Sequence, residues 1–168
     1  MTWTKTLAKR ERQKDLLKPA DYIGETISIV LILLVALFFV RNQTLMTGFF
    51  TSEFKTLEMV LFYGSLLYGM VPAVMRMLTK RRNKVRPFEV LGSIIFIISA
   101  LYFLSVFPFN MAHLTDLFPP GLRFILDWMT SEIAKLLLAI AVIISALSAA
   151  WTLFLYVIVR ESMREIPT

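Results

Sequence analysis

The chain has 168 residues, of which 57% are hydrophobic and 18% charged, with a mean hydropathy of +0.69. Soluble domains are about 45–50% apolar and about 25% charged, so one soluble core of this length cannot absorb the excess, and part of it must face lipid. The absence of cysteine excludes disulfides, thiolate metal sites and iron–sulfur ligation, and the net charge of +6 reads as loops held at one membrane face rather than as a nucleic-acid surface.

Residues 1–20 form a basic segment in which Trp3, Leu7 and Leu17 fall near one helical face, with Arg10 and Lys14 between them. It is either a short helix lying on the membrane or a solvated tail. Pro19 should end any such helix, and Asp21 and Glu25 suit the first turn of the next. Residues 21–168 then form one transmembrane domain. Its four apolar stretches run over about 22–40, 57–78, 88–107 and 136–159, each near the length of about 20 residues that a hydrocarbon core of about 30 Å requires. Backbone groups cannot stay unpaired in lipid, and these runs lack the alternation of barrel strands, so each is expected to be a helix. The first apolar run is longer than a signal-peptide core and is followed by Arg41-Asn42-Gln43, which suits a retained anchor. Asn42-Gln43-Thr44 matches a glycosylation pattern at the membrane edge and is taken as chance.

Orientation follows from the cations. Lys5, Lys9, Arg10, Arg12, Lys14 and Lys18 precede the first span, and Arg76, Lys80, Arg81, Arg82, Lys84 and Arg86 lie around the link between the second and third. Arg160 and Arg164 follow the fourth, whereas the opposite side holds Arg41, Lys55, Arg123 and Lys135. This bias predicts both termini inside, in the plasma membrane of a prokaryote. Lys80, Arg81, Arg82, Lys84 and Arg86 are expected to face anionic lipid or a partner. Beyond the third span, Pro119-Pro120-Gly121 precedes Leu122, Ile125, Leu126, Met129 and Ile133, an apolar stripe that predicts an external amphipathic interfacial helix leading into span four. The fold class is therefore all-α integral membrane.

Small residues mark where helices in lipid approach closely. Ser65, Gly69 and Ala73 recur every four residues in span two, where Pro72 should kink the helix. Ala141, Ser145, Ser148 and Thr152 form a seam on span four. These helix-packing residues predict that spans two and four make the tight pair, with span one peripheral.

Chemistry is harder to find. Glu25, Glu58, Arg76 and Glu89 are the ionisable residues nearest the membrane interior, each within reach of a span end. Glu58, Tyr63, Ser65 and Tyr68 make the nearest approach to a polar track. The single histidine, His113, cannot form a metal or haem site alone. Serine-hydrolase, zinc-protease and phosphate-loop patterns are absent, so no catalytic, cofactor-binding or metal residue is assigned and no cofactor is expected. By elimination the expectation is a non-catalytic structural or accessory subunit of a larger membrane complex of respiratory, oxidase or transport type. Its partners would be other membrane subunits, in a hetero- or homo-oligomer, and anionic lipids, not nucleic acid. The alternative is a small oligomeric transporter or channel using the polar track. A membrane enzyme using Glu25, Glu58 or His113 is the weakest reading.

Overall fold

The computed structural model describes residues 2–164, with the side chains of Thr2, Met163 and Arg164 outside that description. Arg164, counted above among the cations of the basic side, therefore contributes no side-chain geometry. Six α-helices follow in order: α1 Thr2–Gln13, α2 Pro19–Thr44, α3 Thr56–Tyr68, α4 Met70–Thr79, α5 Arg82–Val106 and α6 Ser131–Arg164. Among the described residues, four segments are long and apolar enough to cross a membrane: Pro19–Thr44, Thr56–Thr79, Arg82–Val106 and Ser131–Ser162. The second is α3 and α4 together. Pro72 has no N–H for the Tyr68 carbonyl, and the helix breaks at Gly69 in the preceding turn, as its position predicts.

Contrary to expectation, α6 lies along α5, not against α3 and α4. Ala141, Ser145 and Thr152 fall on its half-buried side, whereas Ser148 is exposed. Gly69 of span two turns toward α2: a Cβ there would sit 3.2 Å from the Ile32 methyl. Gly92 on α5 lies under the Tyr68 ring in the same way, with ring atoms 3.1 Å from a would-be Cβ. Ala73 is buried, and α2 packs on both α3 and α4. A small residue allows a close approach but does not choose which neighbour makes it. Here those neighbours are large side chains of the adjacent helix, which the small-residue spacing alone does not reveal.

The N-terminal segment is a helix, but it ends at Gln13, and Leu17 lies beyond it, donating its N–H to the Lys80 carbonyl at 3.1 Å. α1 packs on α6, where Trp3 stacks on Phe154 with ring centroids 6.5 Å apart. Pro19 opens α2 instead of closing α1. Its fixed φ suits the first helical position, and Asp21 secures that turn by accepting from the Lys18 N–H at 2.8 Å.

At the far end, the loop between α2 and α3 meets the loop after α5 in an isolated antiparallel bridge, Phe50 to Phe109. Phe49, Phe50, Phe54, Phe62, Phe103 and Phe109 interlock around it, with centroid separations from 4.2 Å for Phe50–Phe54 upward. The segment expected as one amphipathic α-helix is divided. Pro120–Ile125 is a 3-10 stretch, and α6 starts only at Ser131. Trp128 folds back to donate to the Ile125 carbonyl at 2.6 Å, so the apolar stripe from Leu122 to Ile133 does not lie on one continuous helix. Asn42 is buried, and its amide donates to the Phe38 carbonyl of its own helix at 2.8 Å.

Candidate functional site

The charged residues near the span ends converge at the α1 end of the bundle. Arg76 on α4 reaches both neighbouring helices. Its Nε and Nη2 donate to the two carboxylate oxygens of Glu25 on α2, at 2.6 and 2.8 Å, and its Nη1 donates to Glu89 on α5. The guanidinium is planar and forked, and the two-bond Glu25 contact fixes its orientation while leaving one edge for Glu89. Its side chain is only 22% exposed. An arginine at this depth must be paired, since an uncompensated charge there costs several kcal/mol.

Two further pairs extend the cluster toward α1. Arg86 donates to Glu11 at 2.6 Å, and Arg82 lies 2.7 Å from Asp21. Backbone bonds reinforce them: the Asn83 N–H donates to the Asp15 side chain and the Arg82 N–H to the Asp15 carbonyl, both at 2.8 Å. α1, α2, α4 and α5 are thus laced together around an open cleft of about 510 Å³. Arg86, expected to face lipid or a partner, is instead 7% exposed, and Arg82 is held in its ion pair. Lys80, Arg81 and Lys84 are exposed. A cation near a carboxylate of another helix turns inward because the pairing offsets its desolvation, which a count of basic residues does not register.

The residues of the expected polar track bond to separate partners. Glu58 sits at the start of α3, where it accepts from the Lys55 N–H at 2.9 Å and from the Tyr102 hydroxyl. Tyr63 donates to Gln43 on α2 at 2.8 Å. Ser65 donates to the Phe62 carbonyl of its own helix, and Tyr68 reaches the Phe88 carbonyl on α5. Glu58 and Tyr68 thus both bond to α5, Tyr63 to α2 and Ser65 to its own helix, and no hydrogen bond joins one of the four to another among the described residues. His113 pairs with Asp116 at 3.0 Å in the far-end loop, and Arg123 approaches the same carboxylate at 3.4 Å. Among the described residues, no group of three or more His, Asp or Glu is placed to hold a metal ion.

A second cavity lies nearer the middle of the spans. It measures about 480 Å³ and is apolar, bounded by α2, α3, α5 and Leu138 of α6. Phe62, Phe103 and Phe109 close it toward the aromatic end. Ser65 and Ser99 supply its hydroxyls, and Ser99 is 2% exposed with no hydrogen-bond partner among the described residues. No family model matches this chain. No curated protein and no solved structure matches it either. The functional reading therefore rests on the charged cleft, the apolar chamber and the outer faces of the helices.

Only part of the cleft was legible from residue types. Glu25, Arg76 and Glu89 each stand out as ionisable groups near a span end, but their convergence does not. Arg76 is 51 residues from Glu25 and 13 from Glu89. The available signal was that an arginine inside an apolar span demands a carboxylate partner. Glu11 and Asp15 carried no such signal, because they lie in a segment rich in charge.

Proposed function

We propose that the chain is a non-catalytic, multi-pass subunit that helps assemble a larger membrane complex, with both termini on the cytoplasmic side of a prokaryotic plasma membrane. The observation that carries this reading is the outer side of α6, where Ala146 and Ala150, one turn apart, remain exposed on a helix packed chiefly along α5 and α1. Small residues on a membrane helix permit close approach by another helix, and here they are not consumed within the chain. The charges support the same reading. Arg76 pairs with both Glu25 and Glu89 and so joins three helices, a use that favours a rigid scaffold.

A transporter or channel is less well supported, because Glu58, Tyr63, Ser65 and Tyr68 are each hydrogen-bonded to other groups and not to one another. The test is extraction of native membranes in mild detergent, then native electrophoresis and mass spectrometry of the band containing the chain. We expect stoichiometric membrane-protein partners, released by Ala150→Phe, which places a bulky ring on the exposed face. A band containing this chain alone would overturn the reading.

A further inference from the structure

The charged cleft and the apolar chamber lie one beyond the other on the same sides of α2 and α5. On α2, Glu25 and Ser28 line the cleft, while Ile32, Val35 and Phe39 line the chamber. Steps of three, four, three and four residues put all five on one helical stripe. On α5, Glu89 borders the cleft and Phe96, Ala100 and Phe103 the chamber, again in steps of seven, four and three. The floor changes with depth, from Arg76 of α4 below the cleft to Phe62, Ser65 and Leu66 of α3 below the chamber. α2 is packed on α3 and α4, whereas α6 is packed on α5 and α1, and among the described residues α2 and α6 share no packing of comparable extent, which gives lipid a side of approach.

Dimensions and charge then narrow the occupant. At 1.5 Å per residue, the α2 stripe from Glu25 to Phe39 covers about 21 Å. That is about one leaflet of a bilayer about 40–45 Å thick with its head groups. Four carboxylates and three guanidinium groups line the cleft, so it carries one more anion than cations within a chain of net charge +6. Glu89, about a third exposed, engages Arg76 through one oxygen. An ammonium group suits that excess of carboxylate, and a phosphate suits the outer guanidinium of Arg82, which is nearly half exposed.

We propose that the two cavities form one groove for a single lipid of the adjoining leaflet with an amine-bearing, phosphoethanolamine-type head group. The ammonium sits among the carboxylates of the cleft and the hydrocarbon chain fills the chamber between α2 and α5. This site requires no protein partner, so it stands or falls separately from the subunit reading.

The test uses the full chain in nanodiscs containing equal parts of phosphatidylethanolamine, phosphatidylcholine and phosphatidylglycerol of identical chains, with retained lipid read by native mass spectrometry. Phosphatidylethanolamine should be retained about tenfold over the other two, a difference of about 1.4 kcal/mol. Glu89→Gln should bring that ratio close to one. Val35→Trp should lower retention of every lipid by narrowing the chamber; Val35 is 42% exposed, so its enlargement does not overpack the core. Thermal unfolding of each variant verifies folding, and the parent's head-group preference together with Val35→Trp decides the matter if Glu89→Gln does not fold. Equal retention of the three lipids, a preference for phosphatidylglycerol, or retention unchanged by Val35→Trp would overturn the proposal.

Discussion

The two ends of this bundle are held together by different physics. At the α1 end, α1, α2, α4 and α5 are joined through Arg76, Arg82 and Arg86 and their carboxylate partners around an open cleft. At the far end, two loops pair through Phe50 and Phe109, and phenylalanine rings fill the space between them. The charged end is directional: each link needs a particular partner at a particular angle. The aromatic end is collective, with each ring touching several others, and its energy comes from buried area and edge-to-face contact. Loss of one ring is shared among many neighbours, whereas loss of one charge strands its partners.

That contrast can be broken first by removing a ring. Phe109→Ala deletes contacts to Phe49, Phe50, Phe54, Phe62, Phe103 and Phe107. It should cost about 3–5 kcal/mol in detergent-micelle unfolding, while Phe109→Leu recovers much of the loss. Next in size is Arg76→Ala, which leaves Glu25 and Glu89 facing each other without a cation and should cost about 3 kcal/mol. Arg76→Lys should rescue it only partly, because an ammonium cannot reproduce the forked contact with Glu25. If lysine restores full stability, the directional account of this end is wrong.

Gly92→Ala comes third. Its Cβ would meet the Tyr68 ring at 3.1 Å and should cost about 1–3 kcal/mol unless the ring shifts. The smallest energetic effect, about 1 kcal/mol, is expected for Glu58→Gln, which keeps an acceptor for the Lys55 N–H but weakens the charge-assisted bond from Tyr102. Helix neighbours can be checked without energies. In this cysteine-free chain, paired cysteines at Ile32 and Gly69 should crosslink, and a pair at Gly69 and Ser145 should not. Crosslinking of the second pair would restore the arrangement that small-residue spacing suggested.

What could be read from residue order was whatever the solvent dictates locally. The four apolar segments are legible because hydrocarbon thickness sets their length and lipid forbids unpaired backbone. The break before Pro72 is legible because proline lacks an N–H wherever it stands. The stripe from Leu122 to Ile133 misled, since helical spacing of apolar residues does not by itself make one helix: the backbone is a 3-10 stretch to Ile125 and α6 begins only at Ser131. Small-residue spacing located Gly69 and Ala73 as close-packed positions but assigned them to the wrong neighbour.

The sequence by itself determined that this chain is helical and rich enough in apolar surface to cross a membrane four times, and that its cations concentrate before the first apolar segment and between the second and third. Composition, periodicity and the cost of unpaired backbone decide those properties within about 20 residues at a time. Only the tertiary structure decided that Arg76 joins Glu25 to Glu89, that Arg86 turns inward to Glu11, and that α6 lies along α5. Each of these depends on which distant side chain offsets a desolvation cost or fills a gap. That choice is made by packing in three dimensions, and it leaves no periodic trace along the chain.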